Sequence, residues 1–184
     1  DENIPRNDKI HWIDCSDIYE CDLYCSQSAE EEIHRRIDPY GIGGIHFLDS
    51  GNYHYVTKIM TDRISEPFSL ILFDHHTDMQ PPLIDGMNSC GDWARSVLLT
   101  NPNLQQLVLI GPKKADIQAV FTDKQLKARE KKMLKEKLIA FPAEELRAGE
   151  GHEKAEKIRM DVPFYISIDK DVLDERYCKT NWNQ

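Results

Sequence analysis

What this sequence lacks narrows it first. No apolar run approaches the roughly 18 residues that a membrane-spanning helix requires. The start, DENIPRNDKIHW, has neither the basic end nor the apolar stretch of a secretory signal. No membrane role is expected, and a cytoplasmic location is. Basic charge is short as well. The 23 Lys and Arg stand against 32 Asp and Glu, for a formal net charge of −9, the wrong sign for general binding to a phosphate backbone, so no nucleic-acid partner is expected. Cysteines are few and odd in number: Cys15, Cys21, Cys25, Cys90 and Cys178 form no regular framework, so reduced thiols are expected rather than disulfides. Cys21 and Cys25, in CDLYC, lack the second closely spaced pair that a zinc site would need. Internal repeats, low-complexity tracts and linker-like stretches are missing too. That leaves a single domain over residues 1–184, with 40% hydrophobic and 30% charged residues, able to bury one core.

What is present is a series of short apolar runs. KIHWIDC (9–15), GIHFLDS (44–50), FSLILFD (68–74), QLVLIG (106–111), KLIAFP (137–142) and PFYISID (163–169) each have the length and composition of a buried strand. Helical segments lie between them. Ser28 and Glu31 form a capping box before EEIHRRI, YVTKIMTDRI follows His54, and DWARSVLL follows Gly91. The stretch 114–136 is rich in helix formers and locally basic, the pattern of a solvated helix face. Strands alternating with helices predict an α/β fold in three layers: a mainly parallel sheet with helices on both faces.

Three of these runs end in residues of the metal-ligand type. LILFDHHTDMQP passes from four apolar residues into Asp74, His75, His76 and Asp78. Burying such groups beside a core is costly unless a partner charge or a metal ion compensates. If 74–78 is extended, Asp74, His76 and Asp78 share one face, with His75 and Thr77 on the other. FYISIDKDVLD ends its apolar run in Asp169, Lys170 and Asp171, and IHFLDSGNYHY leads through a glycine turn to His54. A parallel sheet brings the carboxyl ends of its strands to one edge, where open α/β proteins place ligands. His54, Asp74, His76, Asp78, Asp169 and Asp171 are therefore expected to converge. His46, inside GGIHFL, is read as a core or strand residue instead.

The motifs SGNYH, DHHTD and SIDKDVLD, in that order, resemble those of the arginase and agmatinase family, the ureohydrolases. The resemblance runs from about residue 44 to 174. It implies the arginase/deacetylase-like architecture and a centre of two manganese ions. Asp74 and Asp169 would bridge the ions, His54 and Asp78 would complete the shell of one, and His76 and Asp171 that of the other. Four carboxylates and two imidazoles are, independently, a hard, oxygen-rich set suited to manganese. Two such ions share a bridging water and make hydroxide available near neutral pH. The implied activity is hydrolysis of a C–N bond in a small guanidino or amidino substrate, with Asp78 best placed to hydrogen-bond the hydroxide. Asp174 is expected to support the ligand loop. Trimers and hexamers are usual among the proteins resembled, so a homo-oligomer is implied.

Two features depart from that pattern. Cys90, in NSCGDWARSVL, stands where the family generally has a histidine, and reads either as a nucleophile or proton donor or as a packing residue. The family also continues well past its second aspartate motif, so the domain is expected to be incomplete at its C-terminal end. Alternatives to the hydrolase are a noncatalytic metal-binding member of the fold and a zinc deacetylase-like amidohydrolase, which would use one ion and fewer carboxylates.

Overall fold

The apolar runs from residue 68 onward become four parallel strands. A computed structural model describes residues 10–182. Its sheet is built from β2 (Phe68–Phe73), β4 (Leu104–Ile110), β5 (Leu138–Phe141) and β6 (Phe164–Ile168), in the order β5-β4-β2-β6, every pairing parallel. A separate antiparallel pair joins β1 (Tyr24–Cys25) to β3 (Asn88–Ser89). The helices are α1 (Gln27–Ile37), α2 (Val56–Thr61), α3 (Trp93–Thr100), α4 (Lys114–Thr122), α5 (Ala128–Lys137), α6 (Ala143–Arg147) and α7 (His152–Ala155). None of the described helices is long and apolar enough to cross a membrane.

Side-chain alternation along the strands separates the two faces. On one, Leu70, Leu72, Leu107, Leu109 and Leu138 join Ile33, Tyr55, Ile59, Trp93, Val97 and Leu134 in the principal core. Each fully buried Leu there contributes about 2 kcal/mol. The opposite face carries Ile71, Val108, Phe141, Ile166 and Ile168. The 141–159 segment ties onto it: Gln106 accepts from the Arg159 N–H and donates to the Lys157 carbonyl. Val108 and Phe141 are buried there, whereas Ile166 and Ile168 on β6 are exposed. This is the expected three-layer α/β architecture.

Strand order places the site. The chain runs from β2 outward through β4 to β5, then returns to lay β6 on the other side of β2. The segments that follow β2 and β6 therefore lie side by side over a crevice at the carboxyl ends of two adjacent parallel strands, the end at which open α/β sheets hold ligands.

Several sequence expectations need correction. Described residues 10–15 and 44–50 contain no strand, and Lys9 lies outside the described residues. Neither run pairs with a strand of the described sheet, and an apolar run outside a ladder does not hold as a strand. His46 is accordingly exposed, as are Ile45 and Phe47. The cap of α1 is Ser26, whose hydroxyl accepts from the Ala29 N–H at 3.3 Å, because the helix begins at Gln27 and Ser28 already lies inside it. The 114–136 stretch is broken into α4 and α5 at Asp123. Its carboxylate accepts from the Gln125 N–H and pairs at 2.5 Å with the buried Arg95 guanidinium, a local competition that ends the helix. Among the described residues no two cysteines are joined in a disulfide.

Gly111 shows how closely β4 is fitted to the site. It follows β4 at φ +116°, and a Cβ there would lie 2.5 Å from the Asp74 carbonyl oxygen and 2.6 Å from Val172 Cγ2. Gly111→Ala is expected to destabilise the fold by about 2 kcal/mol or more, from the positive φ and the clash together. Urea denaturation at fixed pH measures it, and a midpoint within error of wild type would refute the fit.

Candidate metal centre

The six expected donors come from three chain segments that the crevice brings together. His54 follows the 3-10 turn Gly51–Tyr53, which Ser50 caps by accepting from the Asn52 N–H. Gly51 lies close against the donors: a Cβ on it would sit 3.2 Å from Asp169 Oδ2, a tight contact. Asp74, His76 and Asp78 come from the segment after β2. That segment is a bent loop rather than extended chain, with the His76 N–H donating to Asp74 Oδ1 at 2.7 Å and Asp78 at φ +49°. The three donors therefore gather through an Asx-type turn and a left-handed residue, not through strand alternation. Asp169 and Asp171 flank the start of the 3-10 turn Lys170–Val172 after β6, tied back where the Asp169 N–H donates to the Phe73 carbonyl and the His75 N–H to Asp171 Oδ1.

Two donor groups result. His54 Nδ1 lies 3.1 Å from Asp78 Oδ2, 3.3 Å from Asp74 Oδ2 and 3.5 Å from Asp169 Oδ2. His76 Nδ1 lies 2.8 Å from Asp171 Oδ2 and 3.5 Å from Asp74 Oδ1. Ligand atoms of His54, Asp74 and Asp78 fall within 4.8 Å of one another, as do those of Asp74, His76 and Asp171. Asp74 belongs to both sets and turns one oxygen to each. The far ring nitrogen of His54, Nε2, meets Ser167 Oγ at 2.9 Å, the outer contact that holds a ligating imidazole in orientation.

Electrostatically the centre calls for positive charge. Burial would lower His54, but Asp74 and Asp78 override it and raise its pKa to about 10. Hydrogen bonds to Asp171 and Asp74 raise His76 to about 10. Burial, and then the Asp74 charge, push Asp78 well above the carboxylate range. Burial pushes Asp169 up as well, helped by Asp171 and Asp74. Only Asp74 is depressed: the two imidazoles outweigh its burial. Its Oδ2, although close to His54, is buried and accepts no hydrogen bond. An orphaned carboxylate oxygen at the junction of two oxygen-rich donor sets is what a bound cation would satisfy.

The donors open onto a pocket of about 250 Å³, also lined by Leu23, Tyr24, Gln80, Leu83, Cys90 and Trp182. Burial, then Asp78 and Asp92, push the Cys90 thiol up to about 11, so it stays protonated near neutral pH. Asp174, by contrast, does not support the ligand loop. It is spent on a local turn, accepting from the backbone and guanidinium of Arg176. His75 contributes its backbone N–H to Asp171, as befits a structural residue. Among the described residues, no metal-type cluster includes Cys21 or Cys25.

Residues 6–179 match the family described as the Arginase family. The chain belongs to the arginase family. An uncharacterized protein of Thermotoga maritima is 29% identical over 135 residues, which cover 71% of this chain and 43% of that protein. Among solved structures, the formimidoylglutamase of Bacillus subtilis subsp. subtilis str. 168 superposes with a TM-score of 0.54 at 17% identity, covering 81% of this chain and 47% of that one. That likeness is one of fold. The chain spans less than half the length of either protein. Within this arginase-family fold the His and Asp side chains form a plausible binuclear metal-binding cluster.

Two features of the site had no place in the reading of the sequence. Ser167 was visible as the first residue of SIDKDVLD, though only the folded chain shows its hydroxyl on His54. Trp93 was visible only as part of a helix; it packs against His54 and Asp78 at the centre of the site.

Proposed function

We propose that the chain is a manganese-dependent hydrolase that cuts a C–N bond in a small guanidino or amidino compound. The observation that carries this reading is Asp74, with one oxygen turned to each of two donor sets and one of them left without a hydrogen bond. On this reading His54, Asp74, Asp78 and Asp169 hold one ion, and Asp74, His76, Asp171 and a shared Asp169 the other. The predominance of carboxylates favours manganese over a thiolate-bound zinc. Two divalent cations held there would supply a water activated near neutral pH and a polarised substrate.

The chain's own groups would do the rest. Asp78, an ionised ligand on the pocket wall when the ion is bound, would also accept a hydrogen bond from the activated water. Cys90, whose thiol burial and the Asp78 and Asp92 charges hold in its protonated form, is suited to hydrogen bonding or packing in the pocket rather than to nucleophilic attack. The fold relative named for a formimidoyl substrate supports the amidino side of the substrate class. Five unbridged cysteines suit a cytoplasmic setting.

Cys90 also favours a second reading, a noncatalytic metal-binding member of the family, because a protonated thiol is a poor substitute for an imidazole in proton transfer. One experiment separates the two. The manganese-loaded protein is offered a panel of guanidino and formimidoyl compounds while urea, formamide and ammonia release are followed. Metal-dependent release from at least one compound is the expected result. Two bound ions without turnover across the panel would favour the binding protein, and a single bound zinc the deacetylase-like alternative.

A further inference from the structure

Asp78 is held by three consecutive residues at the start of α3. The Trp93 indole N–H donates to Asp78 Oδ2 at 2.6 Å, while the backbone N–H groups of Ala94 and Arg95 donate to the Asp78 carbonyl at 3.0 and 3.3 Å. A non-glycine residue at φ +49° is strained unless its surroundings fix it, and this triple clamp supplies the constraint. The same indole lies against the His54 ring, with centroids 4.7 Å apart and planes inclined by 47°. Trp93 is completely buried, so neither contact is open to replacement by water. It touches two of the three members of the His54–Asp74–Asp78 set, whereas the contacts described for His76 run to Asp74, Asp171, His75 and Trp182.

We propose that Trp93 is a positioning residue for one half of the centre: it aims Asp78 and His54 together and so sets the affinity of the ion they hold, leaving the other ion's affinity untouched. This rests on the metal-binding reading above and adds an asymmetry that reading does not contain. The physical basis is the usual dependence of a metal site on the groups that orient its ligands. Loss of one such partner weakens metal binding about ten- to a hundredfold. A residue that merely filled the core would change the stability of the fold without separating the two affinities.

The test is a titration of the full chain with Mn²⁺ alone, by calorimetry and manganese electron paramagnetic resonance, in wild type and Trp93→Phe. The phenylalanine keeps a ring beside His54 and removes the N–H donor. One of the two sites is expected to weaken about tenfold or more while the other stays within about threefold, so that a single-ion signal appears at stoichiometries where wild type is already paired. Equal affinities in the two proteins, or equal weakening of both sites, would overturn the proposal. If Trp93→Phe does not fold, an isosteric benzothienylalanine at position 93, with sulfur in place of the indole N–H, carries the same comparison. A wild-type protein that binds no Mn²⁺ would overturn this inference and the metal-binding reading together; two wild-type sites with a symmetric variant would overturn this inference alone.

Discussion

Asp74→Ala is expected to empty the centre completely, while Asp171→Ala leaves one ion behind. In wild type offered Mn²⁺ without chelator, elemental analysis should find about two manganese per chain, the stoichiometry of a paired hydrolytic site. The two variants differ because of where the carboxylates stand. Asp74 supplies an oxygen to each donor set, at 3.3 Å from His54 Nδ1 and 3.5 Å from His76 Nδ1, so its removal takes a ligand from both at once. Asp171 stands only with His76, at 2.8 Å. Deleting it leaves His54, Asp74 and Asp78 assembled, with Asp169 beside them. Asp169→Ala should follow Asp74→Ala if Asp169 also spans the two ions, and should follow Asp171→Ala, with one ion retained, if it serves one side only. Any metal-dependent C–N hydrolysis should fall to background in Asp74→Ala. Circular dichroism guards against trivial unfolding, and the fold is expected to survive, because each imidazole keeps another carboxylate partner. A single manganese retained by Asp74→Ala would remove the shared-ligand geometry on which the paired centre depends.

The donors are legible in the sequence for a definite physical reason. A run such as LILF can end in Asp, His and Asp only if those groups leave the core together, and a parallel sheet directs the ends of such runs to one edge. Strand direction alone, without strand order, is enough to bring these runs to one edge; five of the six residues fall in the two donor clusters, and Asp169 stands beside them at 3.5 Å from His54. Alternation along an extended chain would also bring Asp74, His76 and Asp78 to one side, yet the chain achieves this by bending, with Asp78 left-handed at φ +49°. Periodicity carries no information about a left-handed aspartate. Likewise, the run at 44–50 has strand composition but no ladder to join, and strand formation depends on neighbours that a local window cannot see. Trp93 and Ser167 are missed for a related reason. Their contacts, to Asp78 and His54, join segments 15 and 113 residues apart, and a tryptophan opening an apolar helix looks the same whether it fills a core or steadies a ligand.

Stability should depend on pH in opposite directions with and without metal. In the metal-free protein His54 and His76 are both raised to about 10, by Asp74 and Asp78 in one case and by Asp171 and Asp74 in the other, whereas an unfolded chain's histidine titrates near about 6.5. A group whose folded pKa lies above its unfolded value contributes stability that is complete below the unfolded pKa and lost as pH rises through the folded one. Chelated protein should therefore melt at falling temperature from about pH 6.5 to about pH 9. Asp78, raised to about 7, works in the same direction but at lower pH, and its contribution is largely spent by the acid end of this window. Manganese reverses the slope. The ion requires neutral imidazoles and ionised carboxylates, so binding expels protons and tightens as pH rises, and tighter binding to the folded state raises its stability further at fixed free metal. The gap between the manganese-loaded and chelated melting temperatures should thus widen steadily across this window, with proton release on metal addition measurable in weakly buffered solution. A chelated protein whose melting temperature is flat or rising from about pH 6.5 to about pH 9 would show that the two imidazoles are not held in their protonated form by the surrounding aspartates, and the packing of donors around Asp74 would need a different explanation.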